Sequence, residues 1–397
     1  MTSINNQLTI TTNNKIGVLG AGSMGAGIAQ VAATAGHKVV LVDSNGDTLE
    51  QVRKKLDKLL KSFVEKGKID EETCKDIFGR VEFAIGMNAF KDCDLIIEAI
   101  VENLEIKQTV FKELETIVSK NTILATNTSS LSIVAIASAC KNPERVLGIH
   151  FFNPAPLMPL VEVIPALTTN EKVLLKARNL ISSWGKQTVL AKDTPGFIVN
   201  RVARPFYGEA IRILEEGLAD IATIDWAMKE IGGFRMGPFE LMDYIGNDIN
   251  YTVTETIFKE FFYDPRYKPS FTQKRLCEAK HYGKKNGRGH YDYSENAIHP
   301  EPDKNKTLGQ DIFFRILVML INEAADALYL KVATREDLDL AMTKGVNYPK
   351  GLLKWADEIG IEKVLNTLER LQDEYGEDRY RPSVLLKRMA KNVTTFY

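Results

Sequence analysis

The chain has 397 residues, of which 44% are hydrophobic and 26% are charged, and its formal net charge at pH 7 is −1. That length exceeds one ordinary hydrophobic core, so we expect two or three domains. The near balance of charge argues against wholesale binding to nucleic acid or membranes, and no apolar run approaches the ~18 residues that span a bilayer.

The N-terminal segment and the cysteines indicate a cytoplasmic protein. Residues 1–14 are polar and lack the basic and apolar regions of a signal peptide, so we expect a flexible tail. The four cysteines form no C-x-x-C pair, which is typical of free thiols in a reducing compartment. None lies at metal-ligand spacing from a histidine, so we expect no metal site.

The first folded unit begins at Lys15, where an apolar run leads into Gly20-Ala-Gly-Ser-Met-Gly25. A helical pattern follows as far as Ala35, and a second apolar run over 38–42 ends at Asp43. This order of strand, glycine turn, helix, strand and acid predicts a dinucleotide-binding unit.

Each residue of this motif has a physical task. Gly20 permits the tight turn, Gly22 lets the backbone approach a pyrophosphate, and Gly25 lets the helix pack closely on the strand. The helix N-terminus presents N–H groups and the positive end of its dipole to the phosphates. Asp43 would accept hydrogen bonds from the ribose hydroxyls and repel a 2′-phosphate, which favours NAD over NADP.

A predicted helix over 47–68 is unusually basic. Between residues 53 and 68 it carries seven cations and two anions. Such a face is either simply solvated or a docking surface for a polyphosphate group on a substrate, and the sequence leaves both possibilities open.

Further strands are predicted over 81–85, 95–101 and 122–126, with a helix over 104–118 between the last two. Strands alternating with helices predict a parallel, doubly wound sheet. Ligands bind at the carboxyl ends of such strands. Two of those ends carry polar residues: Glu98 and Glu102 near the end of one strand, with Lys107 in the helix that follows, and Asn127-Thr-Ser-Ser130 after the other strand.

The stretch from Gly148 to Val163 holds His150, one of only five histidines, and Glu162 follows twelve residues later. Apolar, β-prone runs flank Asn153-Pro-Ala-Pro156, whose prolines interrupt regular structure. We expect the chain to fold back and place Glu162 beside His150, because a buried carboxylate raises the basicity of imidazole. The alternative is a core histidine that happens to precede a strand.

From about residue 193 the pattern is helical, and one module occurs twice. Asp225-Trp-Ala-Met228 echoes Asp339-Leu-Ala-Met342, and Asp243-Tyr-Ile-Gly246 echoes Asp357-Glu-Ile-Gly360, both at an offset of 114 positions. So constant an offset indicates a tandem repeat.

The predicted organisation is therefore an α/β Rossmann-type domain followed by two homologous helical modules. The Rossmann domain is expected over 15–192 and the first helical module over 193–293. A polar linker with two prolines is expected over 294–307, and the second module over 308–397. We infer that the first module is catalytic and the second structural.

The chain resembles the 3-hydroxyacyl-CoA dehydrogenases over about residues 15–293. The resemblance rests on linked motifs in the family's order: Gly20 to Gly25, Asn127 to Ser130, His150 to Asn153, Val161 to Val163, and Asp193-Thr-Pro-Gly-Phe-Ile-Val-Asn200-Arg201. It implies NAD-dependent, reversible oxidation of L-3-hydroxyacyl-CoA to 3-ketoacyl-CoA. A short or medium acyl chain, as in fatty-acid β-oxidation, is expected.

The same resemblance implies roles for single residues. His150 matches the catalytic base and Glu162 its partner, while Ser129 and Asn200 match the groups that hold the substrate's 3-oxygen. NAD contacts are implied for Gly20, Gly22, Gly25, Asp43, Glu102, Lys107 and Asn153. Lys66 matches a CoA contact, whereas Leu59 stands where the family can use a serine against CoA.

Two other functions fit part of the pattern: a dehydrogenase of a small 3-hydroxy acid without CoA, and a non-catalytic NAD-binding protein of the same fold. The intact set of catalytic matches argues against the second. In shorter relatives one helical domain pairs with its twin in a homodimer. Here the second module is expected to cover the first, which gives a monomer, with a homodimer as the alternative.

Overall fold

The computed structural model describes residues 14–397, so nearly all of the tail expected over 1–14 lies outside the described residues. The chain divides into two compact units, Met1–Asp193 and Thr194–Tyr397. The first is built on one eight-stranded sheet and the second is helical. Within residues 14–397 no helix combines the length and apolar character needed to cross a membrane.

Strands and helices alternate along most of the first unit. Its strands are β1 (Lys15–Leu19), β2 (Lys38–Val42), β3 (Val81–Ala84), β4 (Leu95–Glu98), β5 (Ile123–Thr126), β6 (Val146–Phe151), β7 (Leu160–Pro165) and β8 (Gln187–Leu190). Its helices are α1 (Ser23–Thr34), α2 (Gly46–Glu65), α3 (Glu71–Gly79), α4 (Leu104–Ile117), α5 (Ile133–Ala137) and α6 (Glu171–Ser183). Short 3-10 turns lie at Met87–Phe90 and Pro143–Arg145.

The strand order across the sheet is β3-β2-β1-β4-β5-β6-β7-β8. The strands from β3 to β6 in this order pair in parallel, which suits central strands that are apolar on both faces. β6 and β7 pair antiparallel, and β7 pairs with β8 in parallel. The order of strands reverses beside β1, and doubly wound sheets bind ligands in the crevice at such a point.

The strand predicted over 95–101 ends earlier, at Glu98. The backbone N–H of Ile100 donates to the Glu98 carboxylate at 2.7 Å instead of continuing the sheet. Asn103 then caps α4 by accepting the N–H of Ile106 at 3.0 Å. Residues between β4 and α4 therefore form a loop at the carboxyl edge of the sheet.

The helices of the second unit form two sets in the same order. The first set is α7 (Val199–Val202), α8 (Arg204–Glu215), α9 (Ile221–Trp226) with a π-helical turn (Ala227–Ile231), α10 (Pro238–Ile245), α11 (Asn247–Glu260) and α12 (Phe271–Glu278). The second set is α13 (Lys306–Tyr329), α14 (Arg335–Gly345), α15 (Leu352–Ile359), α16 (Ile361–Tyr375) and α17 (Val384–Asn392). Short 3-10 turns lie at Pro265–Tyr267, Lys284–Asn286 and Asp378–Tyr380.

Local structure repeats along with the order of helices. Asp225 accepts two backbone N–H groups at the start of α10, at 2.9 Å each. Asp339 accepts two at the start of α15, at 2.8 and 3.1 Å. A Cβ on Gly237 or on Gly351 would approach the neighbouring aspartate to 2.3 Å, so each glycine leaves room for its carboxyl group.

Each set of helices is also closed by a tyrosine that bridges two aspartates. The backbone N–H and the hydroxyl of Tyr291 donate to Asp243 and Asp225 at 2.9 and 2.8 Å. The backbone N–H of Tyr397 donates to Asp357 at 2.9 Å, and its hydroxyl lies 3.1 Å from Asp339, the residue of α14 that accepts the first N–H groups of α15. Two segments of different sequence therefore make equivalent contacts with the two sets of helices.

The two sets of helices meet through buried ion pairs. Arg201 donates to Glu323 at 2.7 Å, and Arg315, 114 positions after Arg201, donates to Glu209 at 2.6 Å. Both glutamates are 2% exposed. A tyrosine hydroxyl donates to each of them: Tyr267 to Glu323 and Tyr380 to Glu209. Such exchange of equivalent contacts is the mark of an isologous interface, here between two parts of one chain.

Replacing Glu323 by Gln is expected to lower the free energy of unfolding by about 3 kcal/mol, because Arg201 stays buried while its closest carboxylate is lost. Urea unfolding followed by circular dichroism measures the change. The control is Glu50→Gln, which removes one partner of the exposed Lys54–Glu50 pair (3.4 Å). Its expected effect is below about 1 kcal/mol. Equal effects of the two substitutions would contradict the importance of the buried pair.

Candidate active site

His150 and Glu162 lie opposite each other on neighbouring strands. β6 and β7 pair with these two residues in register, and His150 Nδ1 lies 2.7 Å from Glu162 Oε2. The histidine is 6% exposed and the glutamate is fully buried. The predicted fold-back is confirmed. The intervening loop reverses the chain just after Asn153, whose bond to Pro154 is a cis peptide.

This geometry suits the imidazole to proton transfer. When Nδ1–H donates to the carboxylate, Nε2 carries the lone pair that can accept a proton. A buried carboxylate at this distance also stabilises the imidazolium that results. The ring of Phe152 packs against the imidazole at 4.6 Å between centroids, which restricts its orientation.

Ser129 lies in the turn after β5, and Glu102 holds that turn in place. Glu102 Oε1 accepts the Ser129 N–H at 3.1 Å and the hydroxyls of Thr128 and Ser130 at 2.5 and 2.9 Å. Burial raises the pKa of Glu102, but Lys107, at 3.4 Å, and these donors outweigh it and leave the pKa below its ordinary value. The carboxylate therefore stays ionised and fixes the backbone that carries Ser129.

A second carboxylate, Glu98, supports this arrangement from the end of β4. It is fully buried and accepts the Lys107 ammonium at 2.6 Å and the Thr126 hydroxyl at 2.8 Å. Lys107 is itself 1% exposed and lies between Glu98 and Glu102. Sequence reasoning gave Glu98 no role, although an acid at the end of an apolar strand was a usable signal.

Asn127 links the Ser129 turn to the strand that carries His150. Its side-chain oxygen accepts the backbone N–H of Phe151 at 2.8 Å, one residue beyond the histidine. The ends of β5 and β6 are thereby held together by more than strand pairing. Sequence reasoning named Asn127 only as part of a motif and missed this contact.

The three glycines before and within α1 differ in the room that each would leave for a side chain. Gly20 has φ of +100°, and a Cβ there would lie 2.6 Å from the carbonyl oxygen of Ala99. At Gly25 a Cβ would lie 1.8 Å from the Gly20 oxygen, so only glycine allows the helix to begin this close to β1. Among the described residues no atom lies within 4 Å of a Cβ built on Gly22, so the loop is open there.

The start of α1 is suited to a phosphate. Its N-cap is Gly22, which has no side chain to occupy the first N–H groups of the helix. Asp43, at the end of β2, accepts the N–H of Ala21 at 2.7 Å and that of Asn45 at 2.9 Å. The acid is therefore held next to the glycine loop, where a dinucleotide's ribose follows its pyrophosphate. The residues present fit NAD.

The remaining candidates are an asparagine after β6, two residues of the basic helix and an asparagine of the second unit. Asn153 is exposed at the start of the loop after β6. The basic helix ends at Glu65, before the predicted residue 68, because Gly67 takes a positive φ of 65°. Lys66 is therefore an exposed residue at the end of α2, and Leu59 is 37% exposed on the same helix. Asn200 is half-buried in α7, within the second unit.

Comparison with known families follows the same division of the chain. The NAD-binding domain of 3-hydroxyacyl-CoA dehydrogenase matches residues 15–194, and the C-terminal domain of that family matches 196–293 and 312–394. The chain belongs to the 3-hydroxyacyl-CoA dehydrogenase family. It is accordingly an NAD-dependent oxidoreductase of 3-hydroxyacyl-CoA, and the predicted family, fold class, cofactor and reaction are confirmed.

Individual members of the family are similar over different lengths. The 3-hydroxyadipyl-CoA dehydrogenase of Escherichia coli K12 is 38% identical, over 94% of this chain and 97% of that relative. The probable 3-hydroxybutyryl-CoA dehydrogenase of Bacillus subtilis 168 is 42% identical, over 71% of this chain and 98% of the relative. The crystal structure of 3-hydroxybutyryl-CoA dehydrogenase from Escherichia coli K12 matches with a TM-score of 0.90 and 38% identity, covering 96% of this chain and 98% of that one.

Proposed function

We propose that this 3-hydroxyacyl-CoA dehydrogenase works through His150 as its base and Glu162 as the partner of that base. The 2.7 Å contact between His150 Nδ1 and the buried carboxylate carries the proposal. During oxidation His150 Nε2 takes the proton of the 3-hydroxyl group, and Glu162 stabilises the imidazolium. Bound NAD supplies the hydride acceptor. In the reverse direction the imidazolium returns the proton to the 3-oxygen.

Ser129 and Asn200 are assigned to the substrate's 3-oxygen. Negative charge grows on that oxygen as the hydroxyl proton leaves, and fixed hydrogen-bond donors stabilise it. The hold of Glu102 on the Ser129 backbone supports this role, because it orients the turn before substrate binds. Asn200 is assigned from its place in the family motif alone.

Seven residues are assigned to NAD. The glycines Gly20, Gly22 and Gly25 receive the pyrophosphate and Asp43 the ribose. Glu102, Lys107 and Asn153 complete the assigned contacts. Because Lys107 is enclosed by two glutamates, we infer that it acts by keeping Glu102 ionised.

The basic face of α2 and the residues just after it are assigned to the phosphates of CoA, with Lys66 among the contacts. All seven cations from residue 53 to residue 68 are exposed. Lys54 and Lys61 form ion pairs within α2, with Glu50 and Asp57. The cations outside those pairs favour a polyanionic ligand over a merely solvated face.

A short or medium acyl chain such as 3-hydroxybutyryl is the first candidate substrate, and a dicarboxylic acyl chain is the second. The similar Escherichia coli protein is named a 3-hydroxyadipyl-CoA dehydrogenase, and an adipyl chain ends in a carboxylate. The observation that favours such a chain is Arg204, which is buried and for which residues 14–397 provide no acidic partner.

We also propose a cytoplasmic location and a monomeric state. All four cysteines are free, which suits a reducing compartment. The reciprocal contacts of Arg201 with Glu323 and of Arg315 with Glu209 support the monomer, because they supply within one chain the kind of interface that a symmetric dimer makes between two.

The CoA requirement is tested with acetoacetyl-CoA and free acetoacetate, by the loss of NADH absorbance. We expect kcat/KM to be at least about 100-fold higher for the CoA ester, since each hydrogen bond to a charged group raises kcat/KM roughly tenfold or more. A preference for acetoacetate would favour the alternative of a small 3-hydroxy acid. Turnover of neither compound would favour a non-catalytic NAD-binding protein.

His150→Gln is expected to lower kcat for acetoacetyl-CoA at least about 100-fold, the usual scale for an acid–base group. NADH affinity, measured by fluorescence titration, should stay unchanged. His281→Gln is the matched control, since His281 is a half-buried histidine of the second unit, and it should turn over normally. Near-normal turnover by the His150 variant would refute the assigned base.

Light scattering is expected to give a mass near 44.5 kDa, that of one chain. The reason is that the first set of helices already has its partner in the second. A tight dimer at micromolar concentration would contradict this expectation.

A further inference from the structure

Arg204 is a buried arginine without an acidic partner among residues 14–397. It is 7% exposed, at the start of α8. Its Nε donates to the main-chain oxygen of Asn200 at 2.8 Å and its Nη1 to the Thr254 hydroxyl at 3.2 Å. The guanidinium lies 4.9 Å from the centre of the Tyr207 ring. None of these neighbours balances its charge.

Other buried or half-buried arginines of the same unit are paired with carboxylates. Arg201 donates to Glu323, Arg315 donates to Glu209, and Arg266 lies 3.0 Å from Asp264. An isolated buried cation is costly, so proteins ordinarily pair it. Arg204 differs from these arginines, and its charge calls for an anion that residues 14–397 do not supply.

A second polar group without a partner lies close by. Tyr348 is 5% exposed, and within residues 14–397 its hydroxyl has no hydrogen-bond partner. It is near enough to Arg204 for the two groups to interact electrostatically. Its ring packs on those of Phe206 and Phe234, at 5.7 and 4.9 Å between centroids. A guanidinium and a phenol together offer the N–H and O–H donors that a carboxylate accepts.

The repeat provides an internal comparison. At the offset of 114 positions, Arg204 corresponds to Val318 and Tyr348 corresponds to Phe234. Val318 is fully buried and Phe234 is 5% exposed, so the equivalent place is filled by apolar side chains. Packing between the two sets of helices therefore does not require the arginine or the phenol. The guanidinium and the phenol are therefore polar groups at positions that the repeat otherwise fills with apolar side chains.

The spacing along the chain matches the spacing within a substrate. Arg204 lies four positions after Asn200, across the break between α7 and α8, and its Nε lies 2.8 Å from the Asn200 main-chain oxygen. A carboxylate three carbons beyond a carbinol carbon lies about 4–5 Å from it, since each C–C bond is about 1.5 Å. A substrate whose 3-oxygen meets Asn200 can thus bring its terminal carboxylate to Arg204.

We propose that Arg204, assisted by Tyr348, binds a terminal carboxylate of the acyl group and makes the protein selective for 3-hydroxyacyl-CoA esters of dicarboxylic acids of about six carbons. This role rests on the proposed function, in which Asn200 contacts the 3-oxygen. Arg204 takes no part in the proton or hydride transfer. It selects the substrate by pairing with the end remote from the reacting carbon.

Two esters of equal chain length test the proposal: 3-hydroxyadipyl-CoA, which has the terminal carboxylate, and 3-hydroxyhexanoyl-CoA, which lacks it. The unmodified protein is expected to show at least about a tenfold higher kcat/KM for the adipyl ester, the scale of one charge-assisted contact. Equal use of the two esters, or a preference for the hexanoyl ester, would overturn the proposal. Absence of NAD-dependent turnover with both would instead refute the proposed function.

Arg204→Met keeps the length of the side chain and removes its charge. It is expected to lower kcat/KM for the adipyl ester about 10- to 100-fold, chiefly through KM, and to lower that for the hexanoyl ester much less, since only the contact with the Asn200 main-chain oxygen is shared by both. Arg204→Lys should keep part of the preference. Arg275→Met, an exposed arginine in α12, is the matched control and should change neither value. Equal losses on both esters would show that Arg204 only positions Asn200, and would overturn its selective role.

Tyr348→Phe is a second variant that is expected to fold even if Arg204→Met does not, because a phenylalanine, Phe234, occupies the equivalent position of the repeat. It should lower kcat/KM for the adipyl ester about three- to tenfold and leave the hexanoyl ester unchanged. Circular dichroism and NADH binding confirm that each variant is folded. Retention of the full adipyl preference by both Arg204→Met and Tyr348→Phe would exclude this pair as the carboxylate site.

Discussion

The pairing of β6 with β7 is the constraint on which the candidate chemistry depends. In a sheet whose other pairs are parallel, this one antiparallel pair sets His150 directly across from Glu162. Neighbours in an antiparallel pair lie side by side on one face of the sheet, so register alone brings the two groups to 2.7 Å. A shift of one residue would send the two side chains to opposite faces. The position of His150 relative to Glu162 is thus set by the pairing of two strands of the sheet.

Buried charge organises the rest of both units, and it does so in pairs. In the first unit Glu98 and Glu102 share Lys107, and the shared ammonium lets two carboxylates lie near one strand edge without mutual repulsion. Glu102 can then also accept the backbone N–H of Ser129. In the second unit the same rule joins arginines to glutamates across the repeat. Arg204 differs from these pairs, because it is a buried cation without a carboxylate partner among residues 14–397, and its charge is available to an anionic ligand.

Local patterns were sufficient to predict part of this from the sequence. Gly20 to Gly25 and Asp43 lie within one βαβ unit, and the fold-back that places Glu162 follows from two β-prone runs around prolines. The partners of Glu98 were not predictable in that way, because the Thr126 hydroxyl reaches it from a parallel strand 28 positions later. The sequence also could not predict that Arg204 lacks an acidic partner among residues 14–397. This lack depends on which side chains surround the arginine after folding, and Tyr348 comes from the other half of the repeat.

Duplication within one chain explains why such a residue can exist on one side only. In a symmetric dimer every interface residue occurs twice, so a polar group introduced beside one site appears beside the other as well. A tandem repeat removes that constraint. The equivalent pairs Arg201 with Arg315 and Glu209 with Glu323 remain identical where they hold the halves together. Arg204 differs from its equivalent Val318, and Tyr348 differs from its equivalent Phe234. At these two positions a polar side chain in one half corresponds to an apolar one in the other, as selection for a substrate, and not for stability, would produce.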